Sequence, residues 1–350
     1  MTNTAPGAGR RVCIVMMSAI GDAVHVLPVI TALKRHEPTS RITWILQPGP
    51  ASLVRGHPDV DEIIVFEKSR GWRGLLDVRT ELARREFDLV IDLQVYFKAG
   101  LVTSFTRAPV KLGFDTARAR DMNWLFTNQR IPPHAPQHVQ DQYLEFLSAL
   151  GVPAEPLEWK LGPWASELAQ RERVLGALSR PFATLVIGAT HREKEWIPER
   201  WAAVANALRS DFGLEPVLAG GRSDRELETA RLIDAAGART HSTLGVPLRD
   251  LVTILDASQL VISLDTAPLH MSVALERPVI ALMGYNNPKR VGPYRRDHDL
   301  LIDAYGEPGE DYPISYAHRL GRMPRITVRD VLERVERWSA IYRGPASTRS

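Results

Sequence analysis

From Arg11 onward, short apolar runs alternate with stretches of helical spacing, and the alternation breaks once and then restarts. This pattern constrains the fold more than any other feature. "RVCIVMM" reads as a strand and residues 22–36 as a helix. "RITWIL" and "EIIVF" are two further strands, and "GWRGLLDVRTELARRE" has helical spacing. "FDLVIDLQ" is a fourth strand, "KAGLVTSFTR" a short helix and "VKLGF" a fifth strand. Continuous apolar strands separated by helices predict a parallel sheet covered on both faces. Residues 115–136 are polar and irregular, and "QHVQDQYLEFLSALG" is an amphipathic helix closing at Gly151.

"VPAEPLEWKLGP" is proline-rich, lacks periodicity and reads as a linker. The alternation then resumes through "FATLVIG", "PERWAAVANALRSD", "EPVLAGG", "DRELETARLIDAAG", "PLRDLVTILDAS", "QLVISLD", "APLHMSVALE" and "PVIALMG". "TVRDVLERVERWSAIY" ends the pattern as a long amphipathic helix with Thr327 as its N-cap. The expected fold class is α/β, with two doubly wound halves meeting near residues 151–165. Ligands in such sheets sit outside the carboxyl ends of the strands, which directs attention to the cleft that two such halves would form.

Composition narrows the setting. The single cysteine, Cys13, lies in the first strand, so no internal disulfide is possible and a reducing, cytoplasmic compartment fits. No apolar run approaches the roughly 18 residues of a membrane span, and the polar start "MTNTAPGAGRR" is not a signal peptide. The net charge of +3 is too mild to argue for nucleic acid. It is unevenly spread: Lys68–Arg85 holds six basic and two acidic residues, Gln94–Arg130 repeats that imbalance, and Tyr316–Ser350 has eight arginines against three acids. Solvated helix faces explain such runs; so does attraction to an anionic partner or a membrane surface.

The turns carry the chemistry. Neither G-x-G-x-x-G nor G-x-x-x-x-G-K-[ST] follows the first strand, which weakens dehydrogenase and NTPase readings. The D-x-D triplets at Asp59–Asp61 and Asp297–Asp299 lie in polar loops, no Cys/His cluster suggests zinc, and no metal or cofactor is expected. The first turn, "MMSAIGDAVH", carries an acid, Asp22, where a phosphate loop would carry only glycines. In the second half, "SLDTAPLHMSVA" puts Asp265, Thr266 and Ala267 at the start of a helix whose dipole favours an anion, with His270 one turn on. "IGATHREKEW" gathers Thr190, His191, Arg192 and Lys194, and "LAGGRSDRE" offers Gly220 and Gly221 for close backbone approach. Each could be an ordinary connection; three in one half read as a nucleotide pocket.

"SAIGDAVHVLPVITALKRHEP", "VRGHPDVDEIIVFEK", "HAPQHVQDQYLEFLSALGVP", "KEWIPERW", "DTAPLHMSVALERPVIALMG" and "NNPKRVGPY" together resemble glycosyltransferase family 9, the ADP-heptose:lipopolysaccharide heptosyltransferases and their relatives. The resemblance runs from about residue 11 to residue 342. It implies a GT-B fold: an acceptor-binding domain at 1–155, a nucleotide-sugar-binding domain at 165–325, and a helix with its tail at 326–350 crossing back to the first domain. It implies an inverting, metal-independent transfer of a heptose-like sugar, from ADP-heptose above other nucleotide-diphosphate donors, to an anionic glycolipid or glycan such as the lipopolysaccharide core. The setting would be cytoplasmic, with peripheral contact at the inner face of the membrane.

On that resemblance Asp22 matches the proposed general base, which an acceptor hydroxyl needs, while the leaving diphosphate needs cations and oriented N–H groups. Lys194, Thr190 and His191 match the donor loop. Asp265, Thr266, Ala267, Leu269 and His270 match a D-T-G-x-x-H pocket in which Ala267 replaces glycine. Asp224 matches an acidic position near the ribose, and Gly221 belongs with the donor-binding residues. Ser18 and Gly21 would line the acceptor side, with Lys68, Arg70, Arg73, Arg118 and Arg120 meeting acceptor phosphates. "MGYNNP" departs from the commoner G-P-T-x-P. A shell that binds nucleotide sugars without turnover would predict loss of Asp22 or Lys194, and both are present. A nucleotide-sugar epimerase would need further acid and base groups in the second half, where only His191 and His270 offer themselves.

Overall fold

The computed structural model describes residues 9–176, 178 and 181–343. The first eight residues, and 344–350 at the end of the basic tail, lie outside the described residues. The chain divides into two compact units: residues up to Ala135 with Val139–Leu161, and Pro136–His138 with the chain from Gly162 onward.

The first unit runs β1 (Arg11–Val15), α1 (Ile20–His36), β2 (Arg41–Leu46), α2 (Pro48–Val54), β3 (Glu62–Val65), α3 (Trp72–Ala83), β4 (Leu89–Asp92), α4 (Phe97–Ser104), β5 (Val110–Gly113), β6 (Gln129–Arg130) and α5 (Val139–Ala149). Its strands form one parallel sheet in the order β3-β2-β1-β4-β5-β6. The apolar runs explain why: Val12–Val15 of β1 and Leu89–Ile91 of β4 are buried on both faces, so neither strand alternates with polar residues. Val78 and Leu82 of α3 and Ala99 and Val102 of α4 share one core with Cys13, Val15 and Val90, which places α3 and α4 on the same face.

The second unit runs α6 (Leu168–Leu175), β7 (Phe182–Val186), α7 (Pro198–Ser210), β8 (Glu215–Ala219), α8 (Asp224–Ala235), β9 (His241–Ser242), α9 (Leu248–Ala257), β10 (Leu260–Leu264), α10 (Ala267–Ala274), β11 (Val279–Met283), α11 (Pro288–Val291), β12 (Ile302–Asp303) and α12 (Val328–Ile341). Its parallel sheet has the order β12-β11-β10-β7-β8-β9. Counted from β7, that is the strand order of the first unit. Each sheet therefore reverses direction once, between β1 and β4 and between β7 and β10. Those reversals are where doubly wound sheets open a crevice.

Three details differ from the sequence expectation. β1 stops at Val15 and α1 starts at Ile20, two residues earlier than expected, so Asp22 is the third helical residue and not the first. The elements α2, β6, α6, β9, α11 and β12 were not expected, because two to eight residues are too few to establish a period. The final helix, expected across the first domain, sends Val331, Val335 and Trp338 into the core of the second unit beside Trp196 and Trp201. Thr327 caps it as expected: its hydroxyl accepts the Asp330 N–H at 3.2 Å, and the Asp330 carboxylate accepts the Thr327 N–H at 2.7 Å.

Candidate active site

In the first unit the turn after β1 is clamped from β4. Gln94 accepts the Met17 N–H at 3.0 Å and donates to the Ser18 carbonyl at 2.7 Å. The Gln94 N–H donates to Asp92, a wholly buried carboxyl group that burial pushes up to about 7 even though Asn123 and Thr103 also donate to it. The turn thus held delivers Asp22. Its Oδ2 accepts the Ala19 N–H at 2.9 Å, the return half of a capping box. Its Oδ1 accepts the hydroxyl of Tyr143, from α5, at 3.1 Å. Tyr143 is buried, while Asp22 is half-buried. Gln94 and Tyr143 were not anticipated. A polar residue ending the apolar run of β4 was the only signal for Gln94, and Tyr143 looked like one more apolar residue on its helix.

Among the expected acceptor residues, Ser18 and Gly21 belong to this turn and to the first turn of α1. Lys68 sits in a short 3-10 turn, Arg70 pairs with Asp77 at 2.6 Å, and Arg73 lies over the Trp72 ring at 5.7 Å. Arg120 is exposed. Arg118 departs from the expectation. Its guanidinium is enclosed by Asp115, by Glu145 at 2.6 and 2.7 Å and by the Pro132 carbonyl at 2.8 Å. Its donors are spent on joining the 115–118 turn to α5, so it serves structure and does not face an acceptor phosphate.

In the second unit, Lys194 and Asp265 meet across 71 residues of sequence. Lys194 Nζ lies 2.9 Å from Asp265 Oδ2 and donates to the Asp265 carbonyl at 3.1 Å. Asn286 donates to the same carboxylate oxygen. Asp265 directly follows β10, and Thr266 is the N-cap of α10 with no side-chain cap bond; Pro268 has no N–H and the Leu269 N–H goes to the Thr266 carbonyl, which leaves the Ala267 N–H at the helix start. Tyr285 stacks between His191 and His318, with ring centroids 4.7 Å away on each side. Lys194 Nζ lies 5.9 Å from the Tyr285 ring. Tyr285, Asn286 and His318 were missed; the departure "MGYNNP" was the mark of the first two.

His270 is buried, and its imidazole is pushed down to about 3, first by desolvation and then by the nearby His138 and Lys194 charges. It is a neutral ring at physiological pH and not a cation for phosphate. Leu269 is fully buried, and its N–H is taken by the Thr266 carbonyl, so it offers a ligand nothing directly. Thr190 is exposed at the end of the loop after β7. Asp224 is exposed in the first turn of α8. The acid that faces the glycines is Glu226. It accepts the Gly221 N–H at 2.6 Å and the Ser223 N–H and hydroxyl at 2.9 and 2.6 Å. A β-carbon on Gly188 would collide with Glu226 Oε1, and one on Gly221 would come within 2.8 Å of Oε2.

Both D-x-D triplets are engaged by cations: Asp59 with Lys160, Asp61 with Lys34, Asp297 with Arg296 and Asp299 with Arg337. Among the described residues no group of three or more His, Cys, Asp or Glu side chains is placed to hold a metal ion. No described helix is long and apolar enough to cross a membrane.

Solved structures share this architecture. A family 9 glycosyl transferase from Veillonella parvula superposes with a TM-score of 0.80 at 22% identity, covering 94% of this chain and 96% of its own. The Escherichia coli heptosyltransferase WaaC with ADP gives a TM-score of 0.73 at 25% identity, covering 94% and 98%. The protein is an α/β enzyme of the GT-B class. The model of glycosyltransferase family 9 (heptosyltransferase) matches residues 75–309. The lipopolysaccharide core heptosyltransferase OpsX of Haemophilus influenzae is 29% identical over 302 residues, 86% of each chain. Lipopolysaccharide heptosyltransferase 1 of Salmonella typhimurium is 28% identical over 82% of this chain and 92% of its own. The chain belongs to glycosyltransferase family 9, and it is a glycosyltransferase.

Proposed function

We propose that the protein transfers a heptose from ADP-heptose to a hydroxyl of a lipopolysaccharide core acceptor, with inversion and without a metal ion. The observation that carries this is the division of charge between the two sheet reversals: an acid at the first, a cation beside a helix start at the second. Asp22 takes the acceptor proton as the hydroxyl oxygen attacks the anomeric carbon. The sugar–phosphate bond breaks on the opposite face, which inverts the configuration. A double displacement would need a free carboxylate beside the donor, and Asp265 is already tied to Lys194 and Asn286. The negative charge growing on the leaving diphosphate meets Lys194 and the Ala267 N–H at the positive end of α10, which supply what a metal ion would otherwise supply. Glu226 takes the role expected of Asp224. Three donors occupy its oxygens, which leaves room for a ribose hydroxyl to donate as well. Lys68, Arg70, Arg73 and Arg120 face the anionic acceptor.

The relatives carry the substrate reading. OpsX and heptosyltransferase 1 are named for lipopolysaccharide, and one E. coli WaaC structure holds an ADP-2-deoxy-2-fluoro heptose. The test is purified protein with ADP-heptose and heptose-deficient lipopolysaccharide, with the anomeric configuration of the product read by NMR. ADP release without a glycosylated product, or a product of retained configuration, would overturn the proposal.

A further inference from the structure

A lysine carries its charge on a long flexible stem, and holding that stem in one place costs rotamer entropy. A cation that meets a leaving diphosphate acts best when it stands in position before the charge grows. Asp265 alone does not fix Lys194 in this way. The carbonyl contact at 3.1 Å and the carboxylate contact at 2.9 Å both come from that one residue, and the ammonium can pivot about it. A second hold comes from Tyr285. Lys194 Nζ lies over its ring, 5.9 Å from the centroid, within the reach of a cation–π attraction.

Tyr285 is in turn held from both sides. The His191 ring stacks on it at 4.7 Å with 19° between the planes, and the His318 ring at 4.7 Å with 4°. His191 is the N-cap of the 3-10 turn Arg192–Lys194: its ring accepts the Glu193 N–H at 3.2 Å and its carbonyl accepts the Lys194 N–H at 3.0 Å. The stack therefore grips Lys194 at its backbone, through His191, and at its charge, through Tyr285. The third ring belongs to a segment that clips both loops. The Arg319 N–H donates to the Tyr285 carbonyl at 3.0 Å, His318 and Asn286 form an antiparallel bridge, and the Gly321 N–H donates to Glu193 at 2.7 Å. That segment is itself anchored, because the Arg319 guanidinium meets Glu310 through two nitrogens, each at 2.6 Å. The ring stands where "MGYNNP" departs from G-P-T-x-P; a proline in place of Tyr285 would offer no aromatic face.

We infer that the stack His191–Tyr285–His318 is a positioning device for Lys194, which presets the ammonium for the diphosphate. Tyr285 and His318 are positioning residues: they act through Lys194 and not on the sugar. The inference rests on the role proposed for Lys194 at the leaving group.

The test is a double-mutant cycle read by calorimetry with ADP, whose terminal phosphate carries the charge that the leaving group acquires, and by kcat and KM for ADP-heptose. Tyr285→Leu should weaken ADP binding and lower kcat by about three- to thirtyfold, the scale of a cation–π contact. Tyr285→Phe, which keeps the ring, should stay within about twofold of wild type. His318→Ala should shift both readouts in the same direction as Tyr285→Leu, and His318→Phe should restore them. In a Lys194→Gln background, Tyr285→Leu should cost less than about twofold, because the group it positions is gone. Urea melts establish that each variant is folded; should Tyr285→Leu not fold, His318→Ala, on an exposed residue, gives the same cycle. An equal loss from Tyr285→Leu in both backgrounds would show the ring acting apart from Lys194 and would sink this inference alone. So would a Tyr285→Leu protein that binds ADP and turns over like wild type while Lys194→Gln is impaired, or a Tyr285→Phe as damaged as the leucine. A Lys194→Gln protein that binds ADP and turns over like wild type would sink the leaving-group step of the proposed function, and this inference with it.

Discussion

Replacing Asp22 by asparagine separates catalysis from structure, because the site shows what the amide can keep. The two named contacts of the carboxylate come from donors, the Ala19 N–H at 2.9 Å and the Tyr143 hydroxyl at 3.1 Å. Asparagine has one acceptor oxygen for the Ala19 N–H. Its NH2 group can donate to Tyr143, whose hydroxyl turns to accept. The exchange should therefore cost about 1 kcal/mol of stability or less. Alanine loses both contacts and leaves a buried phenol without this partner, for about 1–3 kcal/mol. Turnover should behave differently. Neither residue accepts a proton, so Asp22→Asn and Asp22→Ala should both fall by about 10²–10⁴-fold, or roughly 3–5 kcal/mol of barrier. Melting temperature, ADP-heptose affinity and ADP release measured on the three proteins give the comparison. If Asp22 merely closes the capping box, Asp22→Asn will turn over within a few-fold of wild type; that result refutes the general-base assignment, even with family membership intact.

Four further outcomes are expected. Lys194→Met should weaken transition-state binding by about 2–4 kcal/mol, read as kcat/KM for ADP-heptose, and should also destabilise the fold because it strips a cation from the buried Asp265. Arg118→Ala should lower stability by about 3 kcal/mol or more in urea melts, by leaving Asp115 and Glu145 facing each other, while the KM for acceptor in the folded fraction stays unchanged. His270 holds its proton far less readily when folded than the ordinary 6.5, so its contribution to stability is present above that value and is lost as pH falls towards about 3. Between about pH 8 and about pH 5 wild type should lose roughly 2 kcal/mol more than His270→Asn, measured by denaturant melts at both pH values. Chelators should leave transfer activity intact, and a dependence on added divalent cation would contradict the role given to Lys194.

Much of this architecture is legible in the sequence because buried parallel strands must be apolar along their whole length. Val12–Val15 and Leu260–Leu264 announce themselves that way. The loops that follow them are then candidate sites by topology alone, which is how Asp22, Lys194 and Asp265 came into view. What stays hidden is pairing over distance. Nothing near Lys194 indicates that Asp265 holds it, and nothing in α5 marks Tyr143 as the residue whose hydroxyl reaches Asp22. Charge counting misled at Arg118, because a guanidinium looks the same in a string whether it meets solvent or two carboxylates. Periodicity also lacks the resolution to place a helix start within two residues, and that margin decides whether Asp22 opens the helix or stands at its third position.

The glycines around Glu226 invite a reading in evolutionary time. Gly188 and Gly221 lie on two connections, yet the same side chain limits both, and it shares Gly220 with Leu244. A methyl group at Gly188 or Gly221 requires the Glu226 carboxylate to move off its three donors. Mutations in this corner therefore have a preferred order. A shortening of Glu226 to aspartate, loosening the start of α8, would ease the entry of alanine at Gly188 or Gly221. Lineages that kept the glutamate should have kept Gly188 and Gly221 as a pair, and lineages that lost it should show them drifting independently.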